Sequence, residues 1–139
     1  MTGHTPIRED GFTLVELLVV ILIIGILAAI AIPSLITQRS KAHDVSAKAD
    51  ARSAELAIEQ WKQDHDTYNA TSADLQTEDQ DLAGNPRLTI TGTATTYTVK
   101  VRSNSQNSSD FSVSRDASGH LAHDCSPAGV GGCPAGGTW

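Results

Sequence analysis

The sequence predicts an α+β fold in which a long N-terminal hydrophobic helix extends into a globular part with a small antiparallel β-sheet. Three observations predict this fold. Residues 17–32 hold only aliphatic side chains and glycine. Residues 35–65 contain neither Gly nor Pro and are rich in helix-forming residues. Residues 88–123 contain short segments of alternating apolar and polar residues, separated by turn-forming residues.

Chain length and charge limit the classes of function. The chain has 139 residues, a net charge of −6 and an isoelectric point near 5.2. After the hydrophobic region about a hundred residues remain, enough for one modest core. The acidic balance argues against a general nucleic-acid binder, which would present a basic face. We find no Ser-His-Asp arrangement and no phosphate-binding glycine loop, so the sequence predicts neither an enzyme nor a cofactor.

The apolar region allows three interpretations. As a helix, residues 12–36 would be roughly 37 Å long and could cross a hydrocarbon core of about 30 Å. It is then a membrane anchor. Alternatively it is a secretory signal that is cut after Ala31, because Ala29-Ile30-Ala31 is a small-x-small pattern. The third interpretation depends on the residues at the start of the apolar region.

Those residues read Gly-Phe-Thr-Leu-Val-Glu over Gly11–Glu16, and an aliphatic helix with Pro33 follows. This arrangement resembles the class III signal of type IV prepilins, which type II secretion and competence pseudopilins share. The resemblance is specific over Gly11–Lys41. It implies a leader over residues 1–11, cleavage between Gly11 and Phe12 by a membrane-embedded prepilin peptidase, N-methylation of Phe12, and the lollipop-shaped pilin fold.

Glu16 is unusual because a carboxylate beside an apolar run is costly, on the order of 2.5–3.5 kcal/mol at the centre of a membrane helix. The resemblance implies that Glu16 neutralises the N-terminal amine of an adjacent subunit during assembly. Alternatively, its carboxylate reaches the lipid headgroups. The resemblance also implies that the helix unwinds between Gly25 and Pro33 in filaments, whereas a gentle kink is the alternative for an isolated subunit.

The predicted head covers residues 37–139, with its helix continuing to about residue 65. Apolar residues recur there at helical spacing and predict a face that packs on a sheet: Ala47, Ala51, Ala54, Ile58 and Trp61, widened by Val45, Ala49 and Leu56. Charged residues are expected mostly on a solvated flank: Asp44, Lys48, Arg52, Glu55, Glu59 and Lys62.

Residues 66–87 are predicted to form an acidic connecting loop. No calcium-binding D-x-[DN]-x-[DN]-G pattern occurs in it, so we predict no metal site. Residues 88–123 then form a meander of three or four strands. Tyr97, Val99 and Val101 are expected on one face of that sheet, and Phe111 and Val113 alternate in the same way.

Cys125 and Cys133 are the two cysteines of the chain. The Gly-rich spacing between them lets a loop over residues 125–133 close, and export to an oxidising compartment would make the pair a disulfide. Type IV pilins often carry a C-terminal disulfide loop, which favours a pilin over a secretion pseudopilin. His120 and His123 beside Cys125 do not form a convincing zinc site.

The sequence therefore predicts a structural subunit of a type IV pilus-like filament that serves adhesion, motility or DNA uptake. The expected partners are copies of the chain, the prepilin peptidase, the inner-membrane assembly machinery and the membrane, with no specific nucleic acid. The subunit would be a single-pass membrane protein before assembly and part of an extracellular filament afterwards. The alternatives are a minor pilin, a type II secretion or competence pseudopilin, and a soluble secreted binding protein released after Ala31.

Overall fold

The computed structural model describes residues 11–139, so most of the predicted leader lies outside the described residues. Contacts divide the chain after Ile36 into two compact units. We call residues 11–36 the N-terminal segment and Thr37–Trp139 the C-terminal unit. Helix α1 (Leu14–His65) begins in the first and ends in the second, and it is helical through both Gly25 and Pro33.

Within the C-terminal unit, α1 uses a narrow face for the core. Ala47, Ala51, Ala54 and Ile58 are buried there, which confirms these residues of the predicted face. The predicted widening of that face was wrong: the side chains of Val45, Ala49 and Leu56 are exposed. Asp44, expected on the solvated flank, is fully buried. Helical spacing explains why Asp44 is buried, because it lies three residues before Ala47 and seven before Ala51, on the same side of the helix.

The acidic connection is not entirely loop. Helix α2 (Ser72–Glu78) occupies seven residues of the predicted loop over residues 66–87. Thr71 caps it, since its hydroxyl accepts a bond from the Asp74 N–H and the Asp74 carboxylate accepts from the Thr71 N–H at 2.8 Å. This capping box is a local signal for a helix start, and Leu75 then anchors the short helix in the core.

Four strands form an antiparallel sheet in chain order: β1 (Leu88–Gly92), β2 (Tyr97–Arg102), β3 (Asp110–Arg115) and β4 (Leu121–Ser126). This confirms the predicted α+β class with a small meander. The last strand extends three residues beyond the expected end at residue 123. Cys125 therefore lies within β4 and pairs with Phe111 of β3, not in a free loop.

The strands alternate as predicted, and their inner face completes the core. Tyr97, Val99 and Val101 of β2 are buried and cluster with Phe111, Val113 and the buried face of α1. At the end of β1, a Cβ on Gly92 would lie 1.8 Å from the Tyr68 carbonyl oxygen. A side chain at this position would collide with backbone, so the close approach there requires glycine.

Candidate functional site

The N-terminal segment starts with a capped helix. Thr13 precedes the first residue of α1, and its N–H and hydroxyl both donate to Glu16 Oε2, at 3.1 and 2.8 Å. The Glu16 N–H donates in return to the Thr13 hydroxyl at 3.2 Å. This is a capping box, in which side chains satisfy backbone groups that the first helical turn leaves without partners.

The capping box gives Glu16 partners in the chain before any cleavage. The peptide bond between Gly11 and Phe12 is intact, so Phe12 carries no amine that could pair with the carboxylate. The sequence predicted Glu16 only as a partner for such an amine or for lipid headgroups. The Thr-x-x-Glu spacing of Thr13 and Glu16 is the signal that would have revealed its capping role.

The apolar side chains of the N-terminal segment face outward. Among residues 11–139, twenty large hydrophobic residues are exposed, and seventeen of them lie between Phe12 and Ile36. An 18-residue window of α1 has a mean hydropathy of 3.1, and none of it is buried within the chain. Apolar surface of this extent marks contact with a membrane or with other protein. The helix is long enough and apolar enough to cross a membrane.

Gly25 and Pro33 both lie inside α1. Pro33 cannot donate a backbone hydrogen bond, which weakens the preceding turn. A Cβ on Gly25 would meet nothing within 4 Å, so no contact with another described residue requires a glycine there. Their predicted role in unwinding the helix during assembly remains a prediction.

Cys125 and Cys133 form a disulfide with a Cα–Cα distance of 5.6 Å. Since both sulfurs are bonded to each other, Cys125 has no free thiolate for a zinc ion with His120 and His123. Among residues 11–139, no group of three or more His, Cys, Asp or Glu side chains is arranged to hold a metal ion.

The disulfide loop is fastened to α1 through the peptide groups of Gly132. Its N–H donates to Asp44 Oδ2 at 2.7 Å, and its carbonyl accepts from Lys48 Nζ at 2.8 Å. Gly131 beside it has φ +60, and a Cβ there would lie 2.6 Å from Asp44 Oδ2. Asp44, which was predicted on the solvated flank, therefore has a structural role: its buried carboxylate binds the backbone of the disulfide loop.

A second carboxylate joins α1 to the sheet. Glu59 Oε1 accepts from Tyr97 Oη at 3.1 Å and from Arg115 Nη1 at 2.8 Å, and Oε2 accepts from Tyr68 Oη at 2.9 Å. Burial and the neighbouring negative charge of Glu59 raise the pKa of both tyrosines. The same charge raises the pKa of Arg115. The flank of α1 that was predicted to be solvated therefore contacts other parts of the C-terminal unit at Glu59.

Comparison with known proteins agrees with the N-terminal pattern. Residues 7–32 match the prokaryotic N-terminal methylation motif. The chain is similar to type II secretion system core protein G from three bacteria. Over 74 residues it is 38% identical to the protein of Pectobacterium carotovorum subsp. carotovorum, covering 53% of this chain and 47% of that protein. Over 80 residues it is 34% identical to that of Pseudomonas aeruginosa, covering 58% and 56%.

The third, from Aeromonas hydrophila, is 40% identical over 68 residues, which cover 49% of this chain and 48% of the relative. The matched region thus spans about half the length of these curated relatives. The motif and the similarities confirm the resemblance to the type IV pilin-like family that was drawn from Gly11–Glu16.

Proposed function

We propose that this chain is a structural subunit of a type IV pilin-like filament, cleaved after Gly11, N-methylated on Phe12 and assembled through its hydrophobic helix. One observation carries the proposal: a Gly-Phe junction inside the methylation motif leads directly into a capped helix whose large hydrophobic side chains over residues 14–36 are exposed among the described residues. A soluble protein would bury such a surface, and a filament buries it between copies.

The same apolar surface would contact lipid first and neighbouring subunits afterwards. The membrane holds residues 12–36 until the subunit is extracted, and neighbouring helices then replace the lipid. Removing apolar area from water contributes roughly 25 cal/mol for each Å². Lipid has already removed much of this area from water before assembly, so packing between helices adds less than that figure. Apolar contact alone leaves the register between helices free. A charged pair within it would set the register.

Glu16 would supply the negative partner of that pair. Cleavage after Gly11 creates an amine on Phe12, four residues and about one helical turn from the carboxylate. In an apolar filament interior, an amine without a partner costs several kcal/mol, so a subunit docks where a neighbour's Glu16 receives it. Thr13 holds the carboxylate through Oε2 in the precursor, so Oε1 would be the oxygen that accepts from the neighbour's amine.

The similarity to core protein G favours a filament of the type II secretion system over a surface pilus. The disulfide loop favours the pilus, because such a loop is frequent in type IV pilins. Deleting the gene separates the two. Loss of exported proteins from the medium with normal surface filaments supports the secretion filament. Loss of surface filaments with normal export supports the pilus, and its adhesion, motility or DNA uptake can then be assayed.

Intact-mass measurement of sheared filament protein tests the proposed processing. We expect a mature chain that begins with N-methylated Phe12. A mature chain beginning at Ile32 would instead show cleavage by ordinary signal peptidase and a soluble secreted binding protein, and it would refute the proposal.

Two substitutions separate docking from helix capping. Glu16→Ala removes the carboxylate, whereas Thr13→Ala breaks the same capping box and keeps the carboxylate. If docking needs the charge, Glu16→Ala is processed but fails to assemble, and Thr13→Ala assembles. Electron microscopy counts the filaments, and a blot reports processed subunit. Equal loss of assembly in both variants would assign the effect to capping, and normal filaments from Glu16→Ala would leave headgroup contact as its role.

A further inference from the structure

The negative charge of the chain is concentrated in one segment. Residues 63–85, called here the acidic segment, contain no Lys or Arg and six carboxylates, and the other carboxylates balance the ten Lys and Arg residues in number. Three of the six form a hydrogen bond or an ion pair within the chain, and Asp79 is one of them because it accepts from the Asp81 N–H. Asp66 pairs with Lys62 at 2.9 Å, and Asp74 caps α2. Glu78, Asp79 and Asp81 form no ion pair among the described residues.

These three carboxylates lie on an ordered turn at the end of α2. The Asp79 N–H donates to the Leu75 carbonyl, and the Asp79 carboxylate accepts from the Asp81 N–H at 2.9 Å. Glu78 and Asp81 are exposed on either side. Because these bonds already fix the turn, the turn would lose little conformational entropy when a partner binds it.

The outer face of the sheet carries charge of the opposite sign. A shallow cavity of about 280 Å³, called here the basic cavity, is lined by Pro86, Arg87, Thr89, Lys100, Arg102 and Asp110. Asp110 is occupied by a bidentate pair with Arg102, at 2.9 and 3.2 Å. Arg87 and Lys100 are exposed and form no ion pair among residues 11–139. The cavity therefore presents two cations that form no ion pair in the described part of the chain, although Lys100 lowers the pKa of nearby Asp110.

We propose that the basic cavity of one subunit binds the turn at Glu78–Asp81 of a second copy. Both surfaces belong to the C-terminal unit, and they are unlike surfaces of opposite sign on one chain. A contact between unlike surfaces is heterologous, so a pair of subunits leaves one basic cavity and one acidic turn free, and the contact repeats along an open assembly. The proposal rests on the proposed filament function and adds to it the charged contact between neighbouring C-terminal units.

A nucleic acid is the less suitable occupant of the cavity. Its phosphates would meet a chain whose net charge is −6 and whose exposed acidic segment repels them. A second copy brings an acidic segment of matching sign and limited extent. Each exposed ion pair is weak alone and screened by salt, but repetition along a filament multiplies its effect on assembly.

Charge reversal in the full-length chain tests the contact. One variant carries Arg87→Glu and Lys100→Glu, a second carries Glu78→Lys and Asp81→Lys, and a third combines all four. We expect each pair to lower the amount of sheared filament by about tenfold, because like charges then face each other. We expect the combined variant to recover filaments, since its reversed surfaces are again complementary. Raised salt should weaken assembly of the unaltered chain and of the combined variant, because it screens the attraction between opposite charges, and it should not weaken assembly of either reversed pair.

A matched control changes the same charge elsewhere in the acidic segment. Asp64→Lys with Asp66→Lys makes the same change as the pair at residues 78 and 81, and it should leave filaments at the unaltered level. For every variant, a blot for processed subunit and a thiol assay for the closed disulfide show that the chain is inserted, cleaved and folded.

The outcomes separate this inference from the proposed function. Normal filaments from both reversed pairs, or a folded combined variant as defective as the pairs, would overturn the contact. An equal defect in the control would also overturn it, because net charge would then be the cause. Loss of binding to a DNA oligonucleotide on reversing the cavity, with assembly intact, would assign the cavity to nucleic acid. An unaltered chain that is processed at Ile32 or forms no filaments would refute the filament function itself.

Discussion

Tyr97→Phe removes a single hydroxyl from the junction of α1 and the sheet. That hydroxyl donates to Glu59 Oε1 at 3.1 Å, and Tyr97 is 2% exposed. Hydrogen bonds to charged groups contribute about 1.5–3 kcal/mol to stability. The Glu59 side chain is 31% exposed and is shared with Arg115 and Tyr68, so we expect the low end of that range, about 1.5 kcal/mol.

The effect should disappear when the acceptor is removed. In a Glu59→Ala background the Tyr97 hydroxyl is buried without its acceptor, so Tyr97→Phe should be neutral or stabilising there. Glu55→Ala, one turn earlier on α1, is the matched control and should leave the cost of Tyr97→Phe unchanged. The difference between backgrounds is the coupling energy of the pair.

Urea unfolding of the full chain in detergent micelles measures these values. Both tryptophans, Trp61 and Trp139, belong to the C-terminal unit, so their fluorescence reports the unfolding of that unit. An equal cost of Tyr97→Phe in the unaltered and Glu59→Ala backgrounds would refute the reasoning, because the hydroxyl would then act through packing or another partner.

The same junction predicts a response to alkaline pH. Burial, with the charge of Glu59, raises the pKa of Tyr97 above its value of about 10 in an unfolded chain. A raised pKa gives stability that is fully present below pH 10 and lost as pH rises further, since the unfolded chain ionises first. Unfolding free energy should therefore fall above pH 10, and less steeply in Tyr97→Phe; parallel pH profiles would contradict this.

Two further substitutions address the disulfide loop and the tight approach at β1. Replacing Cys125 and Cys133 by Ala should lower the unfolding free energy by about 2.5 kcal/mol through the lost loop constraint, as measured by urea unfolding, with no free thiol in the unaltered, unreduced protein. Equal midpoints would contradict it. Gly92→Ala should destabilise by about 1–3 kcal/mol, since its Cβ would meet the Tyr68 carbonyl. Gly136→Ala, whose Cβ would only make an ordinary contact of 3.8 Å with Thr138 Oγ1, should not; equal melting temperatures of the two variants would count against the steric argument.

Periodicity predicted the regular elements because their residues repeat with the period of the structure. The alternation of Tyr97, Val99 and Val101 with polar residues corresponds directly to the buried and exposed faces of β2. Helix α2 was missed because its seven residues are too few to show an apolar period. Local capping by Thr71 and Asp74 and the burial of Leu75 stabilise it instead.

Two predictions for α1 were wrong because they relied on the charge of a residue and not on its position on the helix. Asp44 and Glu59 were expected in solvent because they are charged, yet both lie where helical geometry turns them towards other elements. Their partners are a backbone N–H of the disulfide loop and hydroxyls of distant tyrosines. Such partners are far apart in sequence, so no local pattern could identify them. The Thr13–Glu16 capping box, by contrast, is local and was visible in the sequence.

The attachment of Gly132 to Asp44 and Lys48 has a consequence for the order of events during synthesis. The two contacts join residues 88 and 84 positions apart. The chain is made from its N-terminus, so α1 is complete long before the residues that cover Asp44 exist. A chain interrupted before Gly132 would therefore keep a solvated carboxylate on α1, where the finished one has a buried carboxylate. Closure of the C-terminal unit over Asp44 therefore requires that synthesis has reached the disulfide loop.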